Sequence, residues 1–487
     1  MSVFSSSNES PATAHRRVAY IWSAELERVS NDLPSNVGRS SMVHDLIRSL
    51  GLLDSELGYE TEENHDDDEE ESREIPDTDN SGWIRPMARI IPPDPSLGTK
   101  ACLLRYHDKG YLDRLYRPEN DVNEPSEDPT HPSSSPRSSS SSSSPRPRKI
   151  LRADPYNLSH DNPIFDTLPL YVSLVSAATS TACRLLAQDK ADWAVCWDGG
   201  RHHAKRKEAG GFCYVNDLVL GGLLLSREGR VTVSPQQVGH DPTTKVKTRP
   251  PRILYLDMDF HYGDGVSAAF HSPKTYPHPL KPDQPIPKPP NVLTLSIHHS
   301  SPVFYPPPTP LSLLPSPDTT SPFSLAVPLA AYPSRETYAK VWTTCIEPIQ
   351  EAWNPDYVIL QMGTDGLPGD RVGQYGNWAV EGEGGIKWAV EQVKKWDAKV
   401  CVTGGGGYRH DNAARAWAEV MGVLLDRDFE HDMAIPHHDH FEQYAPSFTM
   451  QVPESHVRDE NTEEELNKAG AVFKVLADRI ALIVTHA

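Results

Sequence analysis

Six short runs of apolar, β-branched and aromatic residues recur along the 487-residue chain, and each ends abruptly in a polar cluster. They are Val18–Trp22, Trp193–Trp197, Ile253–Met258, Val292–Ile297, Tyr357–Met362 and Lys399–Thr403. Runs this short and this apolar read as strands covered on both faces. Helical patterns fall between them, at Leu170–Asp189, Asp217–Arg227, Arg335–Ala352, Gly385–Trp396 and Asn412–Leu425. That alternation predicts an α/β fold with a central parallel sheet flanked by helices. The C-terminal ends of parallel strands share one edge, where ligands bind.

The polar clusters therefore converge. Asp198-Gly-Gly-Arg201-His202-His203-Ala-Lys205 follows the second run, and Asp257-Met-Asp259-Phe-His261-Tyr-Gly-Asp264-Gly the third. His298-His299, Gly363-Thr-Asp365 and Gly404-Gly-Gly406-Gly-Tyr408 follow the others. Asp259 and His261, two residues apart at a strand end, point to one side. A carboxylate and an imidazole ligate divalent ions, and Asp365 could complete an open three-ligand site. Alone, an Asp-x-Asp-x-His reads as a solvated turn; five converging clusters make it a metal site. His202 and His203 suit proton transfer near neutrality, with Asp257 and Asp264 placed to fix their tautomers. Tyr408, after four glycines, could donate to a developing oxyanion.

The rest of the composition marks what does not pack. Apolar residues make up 37% and prolines number 45, against the usual ~45–50% and ~5%. The surplus lies in stretches expected as disordered insertions at 55–98, 118–149, 233–251, 272–290 and 306–322, within one domain spanning 15–487. One is acidic around His65–Glu71, and another carries the serine run Ser138–Ser144. Pro136-Arg137 and Pro145-Arg-Pro-Arg-Lys149 offer either a weak nuclear signal or phosphorylated Ser-Pro sites. The charge of −20 (47 Lys+Arg against 67 Asp+Glu) argues against direct nucleic-acid binding. No run approaches ~18 consecutive apolar residues, so no membrane span is expected, and Met1–Ser10 lacks a secretory pattern. The six cysteines form no C-x-x-C pair and read as buried, reduced thiols.

Taken together, Arg201–Lys205, Gly211-Phe212-Cys-Tyr-Val-Asn216-Asp217, Asp257–Gly265, Gly363–Asp365 and Gly404–Tyr408 resemble the zinc-dependent histone deacetylases, class I best. Arg39-Ser-Ser-Met-Val-His44 and Tyr106–Leu112 extend the likeness, and the inserted loops resemble fungal members. The resemblance implies an arginase-like α/β domain with a narrow tube leading to one Zn2+. It assigns Asp259, His261 and Asp365 as metal ligands, His203 with Asp264 as general base and acid, and His202 with Asp257 as the water-orienting pair. Tyr408 would polarise the acetyl carbonyl. Gly211, Phe212, Tyr305 and Gly406 would line the substrate tube, and Asp161 would hold the substrate backbone at its rim. Arg39 matches an arginine near an internal cavity. A structural K+ would sit among Asp257, Asp259, His261, Ser296 and Ile297. Implied partners are acetyl-lysine peptides or histone tails and co-repressor proteins, in the nucleus and also the cytoplasm.

The chain also departs from the family. Tyr305 stands where Phe is usual, Tyr262 where class I members have His, Thr364 for Ala, and Arg201 for an apolar residue. Arg371 matches one basic residue of the inositol-phosphate site of complexed class I enzymes, but Asn36 and Asp411 replace two others. That favours a stand-alone enzyme. The alternatives are an acetylpolyamine or other small-amide hydrolase on the same scaffold, and a silent acetyl-lysine-binding scaffold. A binuclear arginase-type site lacks its second ligand set.

Overall fold

The computed structural model describes residues 16–54, 87–117, 154–232, 248–279, 285–430 and 432–486. Its centre is an eight-stranded sheet, parallel throughout. The strands are β1 (Val18–Ile21), β2 (Arg89–Ile91), β3 (Trp193–Cys196), β6 (Ile253–Asp257), β7 (Val292–His299), β8 (Ser324–Leu329), β9 (Tyr357–Gln361) and β10 (Lys399–Thr403). A small antiparallel ribbon, β4 (Val231–Thr232) with β5 (Thr248–Arg249), lies outside it. The sheet order is β2-β1-β3-β10-β9-β6-β7-β8.

Alternation along each strand divides the interior into two cores. Val18 and Tyr20 of β1 enter one, with Val400 and Val402 of β10. Ala19, Ile21 and Cys401 enter the other. This is the period-two pleat of strands buried on both faces. Helix Leu168–Ala187 covers the second core and packs along helix Asp217–Glu228. By length and composition it could cross a membrane, yet most of it is buried inside this fold.

The expected α/β class is present. The six expected strands form within two residues of their expected ends, and the expected helices form too. Two strands of the eight-stranded sheet were not expected, and both are its edges; the β4–β5 ribbon was not expected either. β2 has three residues, and β8 carries Pro328 and follows a proline-rich stretch. An edge strand needs only one ladder and so tolerates proline. Helix Glu463–His486 was also unforeseen.

Four of the stretches expected as disordered insertions carry defined structure in their described parts, among them 233–251, whose residues Thr248–Arg249 form β5. Residues 87–98 contain β2 and a short 3-10 turn, Pro95–Leu97. Residues 306–322 and the described parts of 272–290 are packed onto the domain. Arg479 of helix Glu463–His486 donates to the carbonyls of Pro317 (2.9 Å), Thr319 (2.7 Å) and Tyr276 (2.9 Å). Tyr262 donates its hydroxyl to the Leu311 carbonyl at 3.0 Å. Prolines remove ladder donors, and here side chains satisfy the remaining carbonyls. The acidic run, the serine run and the basic pieces Pro136-Arg137 and Pro145–Lys149 lie outside the described residues.

Candidate active site

Loops leaving β3, β6, β9 and β10 meet at one edge of the sheet. Asp217, at the start of its helix, fixes the first loop by accepting the amides of Gly200 (2.9 Å) and Arg201 (2.7 Å). Asn216 holds the next turn, donating to the carbonyls of His202 (3.3 Å) and Ala204 (2.9 Å). The histidine pair is thereby set against the loop after β6. At Gly265 that approach is so close that a Cβ would overlap the His202 and Ala204 carbonyls.

Both imidazoles are buried and each is backed by a carboxylate. His202 Nδ1 lies 3.0 Å from Asp257 Oδ2, and His203 Nδ1 lies 2.9 Å from Asp264 Oδ1. Their Nε2 atoms face each other at 2.9 Å. The two rings differ electrostatically. Burial opposes charge on both, but Asp257 and Asp259 raise His202 to about 9. Burial and then the neighbouring His202 lower His203 to about 4. The surrounding carboxylates thus favour the proton on His202 over His203.

Asp259, His261 and Asp365 are buried, and one ligand atom from each lies within 4.8 Å of the other two. They form a candidate metal centre. His261 Nδ1 stands 2.6 Å from Asp365 Oδ2 and 3.4 Å from Asp259 Oδ1. The donor set suits a cation: two buried carboxylates and one imidazole converge on a single point. Burial and then the Asp259 charge push Asp365 up to about 7. Gly406 is wedged here, with its amide donating to Asp259 Oδ2 at 2.7 Å. A Cβ on Gly406 would overlap Asp365.

Tyr408 follows, half-buried, its ring edge-on to Phe212 at 5.5 Å. Tyr305 stands edge-on to His203 at 5.0 Å and remains 39% exposed. Its hydroxyl lies beside Gly210 and its ring edge beside Gly211. Phe212, Gly211 and Tyr305 thus surround the approach to His203 and Tyr408. Asp161 is exposed, and no hydrogen bond holds it among the described residues; it acts on Tyr305 only through its charge. Ser296 lies beside Asp257 in the β6–β7 register, its hydroxyl paired with His298 Nδ1 at 3.1 Å, and Ile297 is buried next to it. Arg39 is buried behind the glycines, donating to the carbonyls of Gly405 (2.9 Å) and Gly407 (3.1 Å).

Sequence reasoning gave no role to three residues here. Gln361, at the end of β9, donates to Asp259 Oδ2 at 2.8 Å and accepts the Gly363 amide at 3.0 Å. Tyr255 donates to Asp257 Oδ2 at 2.6 Å. Asp370 accepts the amides of Tyr408 (2.6 Å) and Arg409 (3.1 Å), fixing the backbone that presents the phenol. A polar residue inside an otherwise apolar strand was the available signal for Gln361.

A buried three-ligand centre, two histidine–carboxylate pairs and a facing tyrosine on a parallel sheet edge define a hydrolase-type site. The family model described as "Histone deacetylase domain" matches residues 80–424, and the chain belongs to the histone deacetylase family. It is similar to Histone deacetylase 8 of Danio rerio, 26% identical over 481 residues, covering 97% of this chain and 98% of that protein. It is 32% identical over 312 residues to Histone deacetylase 9 of Arabidopsis thaliana, covering 64% of this chain but 63% of that protein's length. Against Histone deacetylase RPD3 of Saccharomyces cerevisiae it is 33% identical over 317 residues, covering 64% and 62%.

Proposed function

We propose that this chain is a zinc-dependent protein-lysine deacetylase, which hydrolyses N6-acetyl-lysine in histone tails or other proteins to lysine and acetate. The observation that carries the reading is the joint placement of the Asp259–His261–Asp365 cluster beside His203 backed by Asp264. Zinc held by those three residues would polarise the amide carbonyl and acidify the attacking water.

The protein's own groups do the rest. His203 takes the water proton and returns it to the leaving amine. His202, held by Asp257, orients the water and offsets the negative charge that develops. The Tyr408 hydroxyl donates to the carbonyl oxygen as it becomes an oxyanion. Phe212, Gly211 and Tyr305 clasp the lysine stem, and Asp161 at the surface accepts from the substrate backbone. A K+ ion held by Asp257, Asp259, His261, Ser296 and Ile297 would steady the loop that carries two of the ligands.

The region matching the inositol-phosphate site favours a stand-alone enzyme. Asp411 is engaged by Arg409 (3.3 Å) and Arg415 (2.7 Å), and Arg371 donates to the Ser35 carbonyl at 2.9 Å. A nuclear chromatin role, through transcriptional repression, is part of the same proposal. The test is acetate release from acetylated histone-tail peptides by zinc-loaded protein, beside His203→Ala and Tyr408→Phe. Turnover that collapses in both variants supports the reading. A folded, zinc-loaded protein that turns over acetylpolyamines but no peptide would replace it.

A further inference from the structure

Helix Arg39–Ser49 has two chemical sides. Arg39 and His44 are buried toward the site, where His44 Nε2 lies 3.0 Å from Asp198. Asp45, the next residue, meets a histidine-rich segment from the far end of the chain, His437-His438-Asp439-His440. His440 Nδ1 lies 2.8 Å from Asp45 Oδ2, and the His440 amide donates to His438 Nδ1 at 3.2 Å. One ligand atom from each of Asp45, His438 and His440 lies within 4.8 Å of the other two. The His438 Nε2 atom is buried and has no hydrogen-bond partner. Tyr444 backs the His438 ring edge-on at 5.5 Å, which limits its rotation.

We propose that Asp45, His438 and His440 form a second metal site, separate from the Asp259–His261–Asp365 cluster and sharing no residue with it. Two imidazoles and one carboxylate suit a borderline transition ion such as Zn2+, rather than Ca2+ or Mg2+, which prefer oxygen ligands throughout. All three residues are half-buried, so water can fill the remaining positions of a tetrahedral ion. The surrounding charge allows it. Arg48 reaches Asp45 Oδ1 at 3.1 Å, but it also pairs with Glu27 at 3.3 Å and lies 4.1 Å from the Trp22 ring. An incoming dication can displace it onto those partners. The bound ion would clamp the segment around His440 to helix Arg39–Ser49, joining two parts of the chain almost 400 positions apart by covalent coordination instead of one histidine–aspartate pair.

The test uses the full chain stripped of metal. Equilibrium dialysis against Zn2+ should give two bound equivalents for the wild type and one for His440→Asn and for Asp45→Asn. An Asp259→Asn/Asp365→Asn protein isolates the new site, whatever the fate of the deacetylase reading. It should bind one equivalent, show tetrahedral Co2+ absorption bands, and lose both when His440→Asn is added. Equal zinc content in wild type, His440→Asn and Asp45→Asn overturns the proposal. So does a double variant that binds no Zn2+ while its circular dichroism stays native; the contact is then an ordinary histidine–carboxylate pair.

Discussion

Arg201 immediately precedes the histidine pair and is buried, with its Nη2 donating to the Asp198 carbonyl at 2.9 Å and its Nε unpartnered. Burial, and then this second guanidinium, push Arg39 down to about 10. Burial opposes the charge on Arg201, yet Tyr171, Cys213, Asp217 and Asp198 around it hold its pKa above the ordinary value, and removing one partner from such a buried charge set costs roughly 3–5 kcal/mol. Arg201→Leu is therefore expected to lose roughly 3–5 kcal/mol in urea unfolding; a variant as stable as the wild type would show the guanidinium to be poorly paired. At the reacting centre, His203→Ala should lower kcat by roughly 10²–10⁴ by removing the proton carrier. Tyr408→Phe keeps the ring against Phe212 and removes only the donor, so kcat should fall by roughly 10²–10³ with the unfolding midpoint unchanged. Steady-state kinetics on an acetyl-lysine peptide separates the two effects from binding.

Helix His410–Leu424 meets helix Ile386–Lys394 through a buried Lys387–Glu419 pair, with Glu381 and the exposed Asp428 at its margin. Lys387 Nζ lies 3.0 Å from Glu381, 3.1 Å from Glu419 and 3.0 Å from Asp428. One ammonium cannot offset three carboxylates, and burial first, then Glu381 and Asp428, raise Glu419 from 4.5 to about 7 despite Lys387. The folded state thus binds a proton that the unfolded chain releases between those values. Stability from this group is complete below about pH 4.5 and declines as pH rises toward 7. Glu419→Gln should flatten that decline, as read from urea midpoints at several pH values; an unchanged slope would remove Glu419 as its source. The C-terminal helix makes a similar argument from packing. Arg479→Ala would leave three carbonyls without their donor, and a loss of roughly 2–4 kcal/mol is expected in chemical denaturation.

For the molecule as a whole, the candidate metal centre ties the proposed function to stability. Two buried carboxylates repel unless a cation or proton lies between them. Stripping the metal should lower the melting temperature by several degrees, and Zn2+ should restore it in proportion to ln(1 + [Zn2+]/Kd). Metal-free Asp365→Asn should melt above metal-free wild type at pH 8, because the repulsion is gone, and should gain less from zinc. Differential scanning calorimetry of the four samples checks both signs. Much of this architecture could be read along the chain. Buried strands must be continuously apolar, and chemistry must follow their ends, so Asp257–Asp264 and Gly404–Tyr408 declared both strand and site. The edges were opaque: Arg89–Ile91 is three residues long, and Ser324–Leu329 contains a proline that only an edge allows. The packing of residues 306–322 depends on Arg479, more than 150 positions away, and no local pattern carries that. The sequence by itself determined the fold class, the ligand-type residues and their order at the sheet edge, because backbone periodicity and side-chain chemistry are local. The tertiary structure decided which histidine the carboxylates favour as the proton holder, that Gln361 and Asp370 steady the site, and that Asp45 meets His440, because burial and proximity arise only when distant segments share one volume.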